Sequence, residues 1–120
     1  MLPLPNDNQL ALFRATVDIE SVSRNERQLA DAVQDALGGC VHLELVRDGD
    51  ALLARTDLGR SERVLIAGHL DTVPVADNLP SSVTTGPDGI VVHGRGTSDM
   101  KGGVAVMVWL ASRLATPNRD

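Results

Sequence analysis

The chain has 120 residues, enough for one modest domain, and its 42% apolar and 22% charged residues strike a globular balance. A net charge of −5 and a pI near 5.0 leave no basic face for phosphates and argue against nucleic-acid binding. No apolar run approaches the ~20 residues of a bilayer span, "MLPLPNDNQL" lacks the regions of a signal peptide, and the single cysteine, Cys40, excludes an internal disulfide, so a cytoplasmic, reducing setting is expected.

Residues 7–20 place Leu10, Phe13 and Val17 at helical spacing. "SVSRNE" follows, with Ser23 and Glu26 at capping-box spacing. The next helix is the clearest in the chain: Leu29, Ala32, Val33, Ala36 and Leu37 form one stripe, Gln28, Asp31, Gln34 and Asp35 face away, and Gly38–Gly39 end it. The period then becomes two. Val41, Leu43 and Leu45 alternate with His42 and Glu44, which puts His42 on the wet face of a strand. "RDGD" at 47–50 carries a turn signal, and "ALLART" at 51–56 reads as the return strand. After a loop, "RVLIAG" at 63–68 is apolar at consecutive positions, as in a central strand covered on both faces. Residues 76–89 read as a polar loop and "IVVHG" at 90–94 as a short strand. Residues 100–115 read as a helix with Val104, Met107, Val108, Ala111 and Leu114 inward. The order of elements predicts a three-layer α/β domain with a mixed sheet and flanking helices. It also predicts that the last helix crosses over toward another parallel strand.

Two polar clusters interrupt this pattern. In "GHLDTVP", residues two apart on an extended backbone project to one side, so His69 and Asp71 stand together with Leu70 opposite. They fall at the carboxyl end of the apolar segment, where open α/β sheets place their sites. Neutral imidazole is a common zinc ligand, and a neighbouring carboxylate fixes its tautomer. The same two residues also suit a strand that simply ends in water. In "GRGTSDMKGG", residues 94–103, Asp99 sits where the last helix begins and would serve as its N-cap. The cap leaves the glycines unexplained, since Gly102 and Gly103 in a first helical turn each cost up to about 1 kcal/mol relative to alanine. A carboxylate held rigidly by a tight loop also suits a dinuclear metal site, where one aspartate bridges two cations about 3.5–4 Å apart. The chain has ten arginines and one lysine, Lys101, which lies in this cluster.

"GHLDTVP" followed some thirty residues later by "GRGTSDMKGG", with "SVSRNE" between the first two helices, resembles the di-zinc aminoacylase and carboxypeptidase family. The uninterrupted "HLDTVPVADNLPS" is most similar to its desuccinylase-type branch. The resemblance implies hydrolysis of an N-acylated amino acid, foremost N-succinyl-diaminopimelate, with acetylornithine or glutamate conjugates as alternatives. It implies two zinc ions, with cobalt as a substitute. His69 would be a terminal ligand of one zinc, Asp71 the carboxylate orienting it, and Asp99 the bridge between both ions. It further implies a cis peptide at Asp99–Met100. Three departures stand out: Glu20 where many members have proline, no tryptophan in the loop at 76–89, and no Glu-Glu pair, which in the family supplies the general base and a ligand. The 120 residues would then be the N-terminal portion of a catalytic domain. The remaining ligands and a lid or dimerisation domain would lie outside it, so this segment alone is expected to be inactive. The complete protein is expected to be a homodimer acting on a small molecule, with no nucleic-acid or membrane partner. A non-catalytic α/β module that keeps these residues for folding or partner binding is the second reading.

For the remaining candidates, nothing pairs with His42 or His93 to make a metal site. Cys40 reads as a small buried thiol, and Met107 and Trp109 read as core. Glycine after Lys101 rules out a phosphate-binding G-x-x-x-x-G-K-[ST] loop.

Overall fold

An apolar seam among three helices organises the molecule, a computed structural model that describes residues 1–4 and 8–120. Helix α1 spans Gln9–Asp18, α2 spans Arg27–Gly38 and α3 spans Gly102–Arg113. The expected start of the first helix at residue 7 lies outside the described residues. Leu12, Leu29, Val33, Leu37, Val104, Ala105 and Val108 bury together with Leu2. Each Leu or Val withdrawn from water contributes about 1.5–3 kcal/mol, so this seam dominates stability. The α2 stripe is as expected: Leu29, Val33 and Leu37 are buried, with Ala32 and Ala36 packed partly behind them. On α3, Val104 and Val108 face inward, whereas Leu114 follows the last turn and is exposed. Trp109 packs partly against the core, with Arg113 stacked over its ring.

The expected capping box does not form. Asparagine 25 donates its N–H to the Val22 carbonyl, and this tight turn delays α2 until Arg27. The Ser23 hydroxyl turns instead to Asp71, while Glu26 accepts the Arg24 N–H. The first strand is also shorter than its alternation suggests. A turn closed by the Cys40 N–H on Leu37 O and the Leu43 N–H on Cys40 O carries the chain off α2, leaving Val41 exposed. His42 faces α3 rather than solvent, with its Nε2 2.8 Å from the Ala111 carbonyl. Cys40 is half-buried rather than buried.

Strand β1 (Glu44–Asp48) pairs antiparallel with β2 (Ala51–Arg55), in register from Glu44 opposite Arg55 to Asp48 opposite Ala51. Arg47 fastens the hairpin to α2, donating to Gln34 and Asp31 at 2.9 Å each. The second hairpin joins β3 (Ser82–Gly86) to β4 (Gly89–His93) around Pro87–Asp88. β3 occupies the end of what reads as loop in the sequence. His93 meets the Thr84 hydroxyl across this pair, 3.0 Å away.

Residues 63–68, expected as a covered central strand, join no ladder among the described residues. Val64, Leu65 and Ile66 are 58%, 74% and 58% exposed. The crossover expected after α3 is begun. The Asp120 N–H donates to Glu62 O and the Val64 N–H to Asp120 O, the hydrogen-bond pattern of a parallel pair centred on Arg63. The Asp120 carboxylate accepts from the Thr56 hydroxyl and from the N–H groups of Leu58 and Arg60, each at 2.8 Å. No described helix is long and apolar enough to cross a membrane.

Candidate metal site

Two segments far apart in sequence bring their polar residues to one cleft. The first is the end of the 63–68 run. A parallel bridge between Val22 and Thr72 docks it beside the turn after α1, with the Thr72 N–H on Ser21 O and the Ser23 N–H on Thr72 O. The buried Ser21 hydroxyl adds a bond to Leu70 O at 2.7 Å. Docking fixes Leu70 toward the core and leaves His69 and Asp71 on the other side, as the period of two requires.

The second segment is a wide turn, Thr97–Lys101, that leads into α3. The Lys101 N–H reaches Gly96 O and the Gly102 N–H reaches Thr97 O, so the loop is closed across five residues at each step. Asp99 and Met100 depart from helical dihedrals inside it, and the peptide between them is cis, as the resemblance implied. Asp99 is therefore not the N-cap of α3; Lys101 precedes that helix, and the Asp99 carboxylate is free to point outward. Gly96 has φ of +82°, and a Cβ there would lie 2.6 Å from the Thr72 methyl. The cost of Gly102 in a helical turn is explained as well, because a Cβ would sit 2.8 Å from the Thr97 carbonyl that closes the turn.

The two segments meet at His69. Its Nε2 lies 2.9 Å from Asp99 Oδ1, and its Nδ1 lies 3.1 Å from both the carboxylate and the carbonyl of Asp71. The Ser23 hydroxyl donates to the other Asp71 oxygen at 2.5 Å. The side chains surround a cleft of about 400 Å³ whose wall also includes Thr72, Arg95 and Ser98. His69 is about half exposed and Asp99 largely exposed, at 45% and 87%.

Electrostatics follow from the geometry. Both ring nitrogens of His69 face acceptors, so a second ring proton is favoured. Asp99 first, then Asp71, raises the His69 pKa above its ordinary 6.5. Asp71 is held below its ordinary 3.8, first by the Ser23 hydroxyl and then by His69. With the ring proton on Nδ1, facing Asp71, the Nε2 lone pair is aimed at the Asp99 carboxylate. A cation between them, a proton or a metal ion, relieves that contact. Imidazole nitrogen and carboxylate oxygen suit a first-row dication, so the pair fits a metal, as two donors of a larger set. Zinc takes about four donors, and among the described residues no three His, Cys, Asp or Glu side chains are placed to hold an ion by themselves.

The three residues singled out in the sequence, His69, Asp71 and Asp99, are thus brought together; His42 and His93 lie elsewhere. Two contributors are not legible as site residues. Ser23 reads as a helix cap, and its bond to Asp71 spans 48 positions that no local spacing reveals. Lys101 stands out only as the single lysine. It is 1% exposed, and its Nζ donates to Val17 O at 3.2 Å and to Ile19 O. Burial pushes its pKa down to about 8, against the opposing pull of Asp18 and Glu20.

Residues 65–120, which include both clusters, match the peptidase family M20/M25/M40. Over its full length the chain is 50% identical to a Mycobacterium tuberculosis protein provisionally named succinyl-diaminopimelate desuccinylase DapE, covering 33% of that protein. It is 45% identical over 109 residues to the succinyl-diaminopimelate desuccinylase of Corynebacterium glutamicum, covering 89% of this chain and 28% of that one. It is 29% identical over 120 residues to a peptidase M20 domain-containing protein of Schizosaccharomyces pombe, covering 94% of this chain and 28% of that one. The chain spans about a third of the length of the curated relatives it matches. The paired clusters, their convergence at His69 and these likenesses together make the chain similar to the M20/M25/M40 peptidase family, with residues 65–120 matching the family itself.

Proposed function

We propose that this chain is the N-terminal part of the catalytic domain of a zinc-dependent amidohydrolase. Its substrate is an N-acyl amino acid, foremost N-succinyl-LL-2,6-diaminopimelate. The observation that carries the reading is His69 held between two carboxylates, with Nε2 turned to Asp99 and Nδ1 to Asp71. The family is in general metal-dependent, and relatives named succinyl-diaminopimelate desuccinylase support the choice of acyl group.

In this reading His69 and Asp99 would hold the metal, with Asp99 in the bridging role. The metal pair supplies the Lewis acidity for amide hydrolysis when bound. Asp71 keeps the His69 ring in the Nε2-donating orientation, and Ser23 keeps Asp71 ionised and turned toward the ring. The general base and the other ligands are contributed from outside these residues, so the segment alone does not turn over substrate. The complete protein works in the cytoplasm as a homodimer.

The test is hydrolysis of N-succinyl-diaminopimelate by a full-length protein carrying this segment, with and without zinc. His69→Ala and Asp99→Ala should each abolish zinc-dependent turnover. Near-normal activity in either removes the assignment, and turnover of N-acetylornithine in preference to the succinyl compound redirects the substrate.

A further inference from the structure

The buried lysine has no part in the chemistry above, yet it touches both halves of the site. Its ammonium lies at the carboxyl end of α1, on the carbonyls of Val17 and Ile19. Carbonyls at a helix end lack intrahelical partners, and a cation there satisfies them and the helix dipole together. Its stem lies along Gly96, with Cγ and Cδ 3.4 Å from where a Cβ would stand. Its backbone N–H closes the turn on Gly96 O at 2.8 Å, two residues after Asp99. The α1 end that it grips runs directly into Ser21 and Ser23, whose hydroxyls hold Leu70 O and Asp71.

We infer that Lys101 is a positioning residue. By tying the Asp99 turn to the carboxyl end of α1, it sets the Asp99 carboxylate opposite His69 Nε2. The inference concerns the site of the proposed function and rests on that reading for its purpose, though the geometry stands without metal. A neutral side chain of equal length fills the same space but strands the two carbonyls, which lose charge-assisted donors in a buried setting. The turn then loses its hydrogen-bonded tie to the carboxyl end of α1, and Asp99 is free to swing into solvent, where it is already largely exposed.

The experiment uses the metal-free 120-residue chain, labelled with ¹⁵N, at about pH 7, where an ammonium with a pKa of about 8 is mostly protonated. Long-range proton–nitrogen spectra report the two ring nitrogens of His69 separately. In folded Lys101→Met the Nε2 signal should move to its position in Asp99→Asn, while the Nδ1 signal, governed by Asp71, stays in place. A merely structural role would lower the melting temperature and leave Nε2 unmoved, and that result overturns the inference. Should Lys101→Met fail to fold, Lys101→Gln, whose shorter amide can still donate to one carbonyl, is read the same way: a displaced Nε2 signal supports the inference and an unmoved one overturns it. Refolding Lys101→Cys, Cys40→Ala after alkylation with bromoethylamine restores a lysine-length ammonium and should return the Nε2 signal to its wild-type position. Persistent displacement in that folded derivative counts against the inference. Separately, zinc added to a full-length protein carrying this segment should move the His69 signals. If it does not, the metal reading fails while the role of Lys101 is still decided by its variants.

Discussion

At the scale of single residues, Asp71 and His69 hold shifted pKa values of opposite sense, and each gives a separate pH signature. His69 is raised, chiefly by Asp99. Its contribution to stability is fully present below the unfolded value of 6.5 and is lost as pH rises through the higher folded value. Asp71 is lowered, chiefly by Ser23, so its contribution is present above 3.8 and is lost as pH falls through the lower folded value. NMR titration of the metal-free chain should therefore give a His69 midpoint above 6.5, returning toward it in Asp99→Asn. In Ser23→Ala the Asp71 midpoint should rise toward 3.8. Unchanged midpoints in these variants would contradict the contacts. Gly102 gives a test by steric conflict. Alanine there gains up to about 1 kcal/mol of helix propensity. The added methyl meets a backbone carbonyl at 2.8 Å, where overpacking costs about 1–3 kcal/mol. Gly102→Ala should thus lower the melting temperature, and a rise would show that the turn yields freely.

At the scale of elements, local pattern and long-range contact part company. The α2 stripe was legible because its spacing alone selects one face, and Leu29, Val33 and Leu37 occupy that face. The β1–β2 hairpin was legible from its turn, where Gly49 takes φ of +57°. β3 was hidden because Val83 and Thr84 lie in a stretch rich in serine, threonine, glycine and proline, which reads as loop until its partner β4 is known. The Gly86–Pro–Asp–Gly89 turn was the available signal. The 63–68 run has the composition of a covered strand, but covering needs neighbours on both sides, and Asp120 supplies only the first hydrogen bonds of one. This apolar edge is an association hazard. Leu65→Lys should reduce concentration-dependent light scattering without lowering the melting temperature, because Leu65 is 74% exposed. Equal scattering would place the association elsewhere.

At the scale of the whole molecule, two segments thirty positions apart meet because α1, its following turn and α3 share one core. The sequence identifies His69, Asp71 and Asp99 from their motifs, and the resemblance supplies their roles. It cannot show Ser23 behind Asp71 or Lys101 beneath Asp99, since both depend on where the end of α1 lands. The central claim is that His69 Nε2 and Asp99 together hold a divalent cation in place of the shared proton. A zinc titration of a ¹⁵N-labelled full-length protein carrying this segment, read at the His69 ring, tests this most directly. The account predicts a saturable shift at Nε2 with Nδ1 still bonded to Asp71, weakening as acid returns the proton and lost in Asp99→Asn. Zinc bound through Nδ1, or bound equally well by Asp99→Asn, would contradict it.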